Sequence, residues 1–215
     1  AYGDFPVYPS FDQVEEKADV IIDFSHPSAL EGMLEYAKSH FTPVVIGSTG
    51  YTPEQKQEIQ DAAKEIPVFF SFNMSLGVNL LVNLAKKAAQ VLGDQFDIEI
   101  VEKHHNQKLD APSGTALMIA DAIQETMGGN MVYQYDRHAQ RKKREHNEIG
   151  IHSVRGGTIV GEHQVIFAGR DEVITLTHEA HSKQVFAVGA VNAAVFLEKK
   201  TPGLYDMGAM LAETE

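Results

Sequence analysis

Pro43-Val44-Val45-Ile46-Gly47-Ser48-Thr49-Gly50 is a β-branched apolar run that ends in four small residues. An apolar run with no polar alternation reads as a strand buried on both faces, and the small residues behind it read as a turn into a helix. Pro53 opens that helix, which continues to about residue 64. Upstream, Ala18-Asp19-Val20-Ile21-Ile22-Asp23-Phe24-Ser25 is a second run of the same kind. Pro27-Ser28-Ala29 then starts a helix to about residue 40, with Leu30, Met33, Leu34 and Ala37 at helical spacing. Downstream, Val68-Phe69-Phe70-Ser71 is a third strand. Strand, helix, strand, helix, strand implies a parallel sheet with right-handed crossovers, hence an α/β fold. Ligands of such sheets bind at the carboxyl ends of the strands. Ser25-His26, Gly47 to Gly50 and Phe72 to Met74 all fall at that edge.

Beyond residue 76 the pattern changes. Positions 78–92 form a long apolar-periodic helix. Asp97-Ile98-Glu99-Ile100-Val101-Glu102 alternates like a half-exposed strand. A helix is expected at 115–127, an exposed loop at 134–148, and three strands at 150–155, 160–168 and 172–181 with glycine turns between them. A last helix, rich in small residues, covers about 183–197. Two domains follow: residues 1–75 with 184–215, and residues 76–183. The second is α+β with a mixed sheet.

The chemistry concentrates in Glu102-Lys103-His104-His105-Asn106-Gln107-Lys108-Leu109-Asp110-Ala111-Pro112-Ser113-Gly114-Thr115-Ala116. Two imidazoles and an ammonium can donate protons. Ser113-Gly114-Thr115 opens a helix, where unpaired amides and the positive dipole end favour an anion. Together they read as a site that binds and protonates a small acidic molecule. Simple capping by Ser113 would explain the turn but not Lys108 and the histidines. Successive strand residues face opposite ways, so His104 and His105 should hold different roles. No third histidine or cysteine stands close and Lys108 would repel a cation, so no metal is expected. Gly47, Ser48, Thr49 and Gly50 would let a flat ring or a phosphate approach the backbone, although they also suit an ordinary turn. Asn73, in Phe72-Asn73-Met74-Ser75, could bond a cofactor carboxamide with a large neighbour behind its ring, or it could cap the next helix. Arg137, Arg141, Lys142 and Lys143 read as a solvated loop. His178, His181 and Lys183 cluster at the end of a strand and could reach an acidic ligand or an interface.

Lys and Arg number 18 against 30 acids among 215 residues, a formal charge of −12, which argues against nonspecific nucleic-acid binding. The chain has no cysteine, which excludes disulfides and thiolate chemistry and fits a cytoplasmic protein. No apolar run is long enough to span a bilayer. The chain begins with Ala1 in mid-pattern, so an N-terminal segment is expected before it.

The 102–116 stretch resembles the signature of bacterial 4-hydroxy-tetrahydrodipicolinate reductases (dihydrodipicolinate reductases). So do Ile21-Ile22-Asp23-Phe24-Ser25-His26-Pro27, Val45-Ile46-Gly47-Ser48-Thr49-Gly50, Asn73-Met74-Ser75-Leu76-Gly77-Val78-Asn79 and Val154-Arg155-Gly156-Gly157-Thr158-Ile159-Val160-Gly161-Glu162-His163. The resemblance spans essentially the whole chain. It implies reduction of 4-hydroxy-tetrahydrodipicolinate with NADH or NADPH in lysine and diaminopimelate biosynthesis. It further implies a Rossmann-like dinucleotide-binding domain, a second domain that binds the dicarboxylate, and a homotetramer built on the second domain's sheet. By motif, His104 and Lys108 match the acids. His105, Lys108, Ser113, Gly114, Thr115 and Lys183 match the substrate contacts, and Gly47, Ser48, Thr49, Ser71, Phe72, Asn73 and Met74 the cofactor contacts. The family's first strand and Gly-rich phosphate loop are not found before Ala1, so the cofactor domain is expected to be incomplete here. Met74 stands where Phe is commoner. Lys183 stands where Arg is commoner, keeping the charge but not the two-pronged carboxylate contact. An inactive substrate-binding or assembly module of this family, or a related nicotinamide-dependent imine reductase, are the alternatives.

Overall fold

The computed structural model describes residues 5–213. In chain order the main elements are β1 (Ile21–Asp23), α1 (Leu30–His40), β2 (Val44–Ile46), α2 (Pro53–Ala62), β3 (Pro67–Phe70), α3 (Leu76–Leu92) and β4 (Asp97–His104). Then come α4 (Gly114–Thr126), β5 (Val132–Gln134), β6 (Glu148–Arg155), β7 (Gly161–Ala168), β8 (Val173–Ala180), α5 (Gln184–Leu197), β9 (Gly203–Tyr205) and α6 (Met207–Ala212). Two compact units result. One gathers the described residues through Met74 and from Phe186 onward; the other is Ser75–Val185.

The first unit holds a parallel sheet in the order β1-β2-β3-β9. The wholly buried Val44, Val45 and Ile46 of β2 account for the unbroken apolar run at its centre. Leu30, Met33, Leu34 and Ala37 of α1 and Ile59 and Ala62 of α2 pack against Val44, Ile46 and Val68. Thr52 caps α2 in a reciprocal box with Gln55, which sets where the helix starts. β1 is shorter than the 18–25 run, and Ile22 is exposed, so this outer strand is covered on one face only rather than on both. β9, which sequence patterning did not single out, closes the other side by pairing in parallel with β3.

The second unit is a five-stranded mixed sheet, β5-β6-β4-β7-β8, parallel from β5 to β4 and antiparallel from β4 to β8. On β4 every second residue is buried: Ile98, Ile100, Glu102 and His104. The first two join Ile149, Ile151, Val165 and Phe167 under Leu81, Ala85 and Ala89 of α3 and Ile119, Ala120 and Ile123 of α4. This apolar layer stops at Glu102, and a polar layer continues the same face. The other face carries a charged group: Glu99 takes Arg137, Arg144 and His152. The 134–148 stretch is therefore not simply a solvated loop. Arg137 and Arg144 fold back to pair with Glu99, Glu148 and Asp97, because those carboxylates on the sheet need partners. No helix among the described residues is long and apolar enough to cross a membrane.

Candidate active site

The polar layer of the second unit is organised by Glu102, whose side chain is wholly buried, 0% exposed. Register sets it between Ser153 of β6 and His163 of β7, with His178 of β8 opposite His163. Arg155 reaches Glu102 with both guanidinium arms, at 2.8 and 2.7 Å. The Ser113 amide donates to the same carboxylate at 3.1 Å, and His104 Nδ1 lies 2.6 Å from it. Burial pushes this carboxyl up, yet hydrogen bonds from Arg155, Ser153 and His104 prevail and bring its pKa down from 4.5 to about 2. It is a carboxylate at any physiological pH.

His163 is the neutral counterpart. Burial first, and then the charge of His104, lower its pKa to about 4. Its Nε2 lies 3.0 Å from Ser113 Oγ, and its ring meets that of His104 edge-on at 5.2 Å. A neutral imidazole accepts at one nitrogen, so the Ser113 hydroxyl donates to it while accepting from the Ala116 amide at 3.2 Å. That capping bond fixes where α4 begins and leaves Gly114 and Thr115 in its first turn.

The 105–113 loop brings the remaining candidates to this point. Asn106 donates its amide to the Gly157 carbonyl, Gly156 donates to the His104 carbonyl, and Arg155 donates to the Asp110 carbonyl at 2.7 Å. Lys108 lies 2.9 Å from Asp110, whose pKa is lowered first by that hydrogen bond. Asp110 is largely exposed, whereas the Lys108 side chain is mostly covered. Through Glu102 and Arg155 these bonds join His104, Ser113 and, by way of Asp110, Lys108, while His105 follows directly on β4 and Gly114 and Thr115 open α4. Lys183 is exposed in the link between β8 and α5 and is not among the residues these contacts join. Motif spacing alone assigns Glu102, Arg155 and His163 no role. The signal was present: Glu102 holds the same strand parity as the core residues Ile98 and Ile100.

In the first unit the cofactor candidates lie at the carboxyl ends of β2 and β3. The Gly47 amide donates to the Asp23 carbonyl at 2.8 Å, Ser48 Oγ to the Ser25 carbonyl at 2.8 Å, and Ser71 Oγ to the Asn73 carbonyl at 3.0 Å. These bonds hold the edge together. A Cβ on Gly47 would stand 2.5 Å from the Phe24 ring, so glycine is what lets that ring lie against the backbone. Met74 turns into the core, 2% exposed, while Phe72 turns outward, 61% exposed, with the Lys56 ammonium 5.4 Å from its ring centre. Phe24 and Phe72 thus lie half-exposed or exposed beside the small-residue backbone at 47–50.

The comparisons with known proteins put this architecture among the two-domain α/β reductases. The family models described as Dihydrodipicolinate reductase, N-terminus, and Dihydrodipicolinate reductase, C-terminus, match residues 2–74 and 77–211. The chain belongs to the dihydrodipicolinate reductase family, oxidoreductases of lysine and diaminopimelate biosynthesis that use NADH or NADPH. It is 56% identical over 204 residues to the 4-hydroxy-tetrahydrodipicolinate reductase of Caldanaerobacter subterraneus subsp. tengcongensis, covering 95% of this chain and 81% of that one. The reductase of Clostridium novyi is 48% identical over 203 residues, covering 94% and 80%. Among solved structures, a dipicolinate-bound dihydrodipicolinate reductase from Paenisporosarcina sp. TG-14 matches with a TM-score of 0.71 at 29% identity, over 87% of this chain and 71% of that one.

Proposed function

We propose that this chain reduces 4-hydroxy-tetrahydrodipicolinate to tetrahydrodipicolinate, with His104 and Lys108 as proton donors and the first turn of α4 as the seat of a substrate carboxylate. The observation that carries this reading is the sharing of Glu102: one oxygen bonds the imidazole of His104 and the other bonds the amide of Ser113. An acid and an anion seat are thereby built as one piece. His105, Lys108, Gly114, Thr115 and Lys183 hold the dicarboxylate, and Ser113, whose amide and hydroxyl are engaged by Glu102 and His163, caps the helix that seats it. Residues 1–75 and 184–215 form the cofactor domain, with Gly47, Ser48, Thr49, Ser71, Phe72 and Asn73 around the nicotinamide and Met74 packed in the core beneath them; residues 76–183 bind the substrate and carry the contacts of a homotetramer. The protein works in the cytoplasm, with neither nucleic acid nor membrane as partner.

The net change adds a hydride and a proton to the substrate and expels its 4-hydroxyl as water. The nicotinamide, when bound, supplies the hydride. The residues of this chain supply the rest. The amides at the start of α4 and the Lys108 ammonium neutralise the carboxylates and fix the ring in place. An electron-rich ring carbon then takes its proton from Lys108 or from His104 Nε2, a contribution of about two to four orders of magnitude in rate. Titration of the full-length protein with pyridine-2,6-dicarboxylate, with and without NADH, tests the reading. Binding strengthened by NADH is expected. Absence of dicarboxylate binding would mean a different substrate, and binding indifferent to NADH would mean a module without the reductase cycle.

A further inference from the structure

The geometry points to Glu102 as a positioning residue that fixes the proton of His104 on Nδ1, leaving Nε2 as the atom that exchanges a proton with the substrate. This inference rests on the proposed role of His104 and goes beyond it. An ionised carboxylate only accepts hydrogen bonds, so at 2.6 Å from Glu102 the His104 Nδ1 must carry hydrogen whether the ring is neutral or cationic. The other ring nitrogen faces the start of β7: His104 Nε2 would stand 3.2 Å from a Cβ placed on Gly161, a residue that presents no side chain there. The carboxylate itself cannot turn. Arg155 clamps both of its oxygens, and the Ser113 amide takes one of them. A fixed tautomer matters because the ring that has given up its Nε2 proton keeps its Nδ1–H bond, and the ring that regains it is stabilised by the adjacent negative charge.

Glu102→Gln separates this role from mere structural support. The amide carbonyl can still accept from the Ser113 amide and from Arg155 Nη2, so the anion seat is kept although the bond from Arg155 Nη1 is lost. The amide NH2 now faces His104 Nδ1, which must accept, and the proton of the neutral ring moves to Nε2. Two readouts follow on the full-length protein. Nitrogen-15 imidazole spectra, with the His104 signal identified by its loss in His104→Gln, should show the Nδ1–H tautomer in the wild type and the Nε2–H tautomer in Glu102→Gln. Turnover should fall by at least about 10-fold: losing the outer partner of a metal-bound histidine costs about 10- to 100-fold, and holding a catalytic imidazole in the wrong tautomer about 10⁴-fold. The KM for substrate and the dissociation constant for pyridine-2,6-dicarboxylate should stay within about threefold, because transition-state stabilisation is lost while ground-state binding is kept. Glu102→Asp should retain the Nδ1–H tautomer and recover part of the turnover. An Nε2–H tautomer in the wild type would overturn the inference even if Glu102→Gln failed to fold. So would unchanged turnover in Glu102→Gln. A wild type that does not reduce the substrate at all would instead overturn the reading of the site on which the inference rests.

Discussion

Replacing Arg155 by Met removes the two-armed clamp on a carboxylate that has no access to water. The cost can be worked from the site. The fall of the Glu102 pKa from 4.5 to about 2 is worth about 3 kcal/mol at neutral pH, taking ~1.36 kcal/mol per pH unit. Arg155 is the leading hydrogen-bond donor in that fall. Breaking a buried ion pair from one side costs about 3–5 kcal/mol in general, so a loss of about 3 kcal/mol is expected for Arg155→Met at pH 7. The pH dependence carries the sharper signature. A carboxyl whose pKa is lowered on folding contributes stability that is complete above 4.5 and lost as pH falls through about 2. Without Arg155 the burial of Glu102 is no longer offset, its pKa climbs back, and that contribution disappears. The gap between wild type and variant should therefore be widest above pH 4.5 and close as the solution is acidified. Urea unfolding followed by circular dichroism at fixed protein concentration, from about pH 7 to about pH 3, measures both quantities. Equal stabilities at pH 7, or a gap that widens on acidification, would show that Arg155 does not hold the Glu102 carboxylate ionised.

Three further outcomes are expected. His163 has a folded-state pKa of about 4 against 6.5, so the unfolded chain binds the extra proton between these values and stability should rise with pH across that window; His163→Gln should flatten this slope in the same unfolding series. Gly189→Ala would place a Cβ 1.6 Å from the Met74 carbonyl oxygen, backbone that cannot swing aside, and should destabilise the protein by about 1–3 kcal/mol or more, read as a lowered Tm in calorimetry. Phe72→Ala should raise the KM for the nicotinamide cofactor several-fold while leaving pyridine-2,6-dicarboxylate binding in the absence of cofactor unchanged, since Phe72 is an exposed ring at the cofactor edge.

The parallel sheet was legible because buried strands announce themselves by composition: Val44, Val45 and Ile46 leave little else to be. β9 escaped because Gly203, Leu204 and Tyr205 are too short a run to show a period, and only the exposed edge of β3 makes them a strand. The histidines, Lys108 and the Ser113-Gly114-Thr115 turn were legible because they crowd into one short stretch of chain. Arg155 and His163 were not. Arg155 lies 53 positions from Glu102 and His163 further still, and only the pairing of β4 with β6 and β7 brings them to it.

In the proposed mechanism His104 and Lys108 protonate a dicarboxylate seated at the start of α4. Steady-state reduction of 4-hydroxy-tetrahydrodipicolinate by the full-length protein, in the wild type, His104→Ala and Lys108→Ala, tests it most directly. Wild-type turnover with NADH or NADPH is expected, with a loss of about two orders of magnitude or more in each variant and the fold intact by circular dichroism. Near-native turnover in both variants would contradict it.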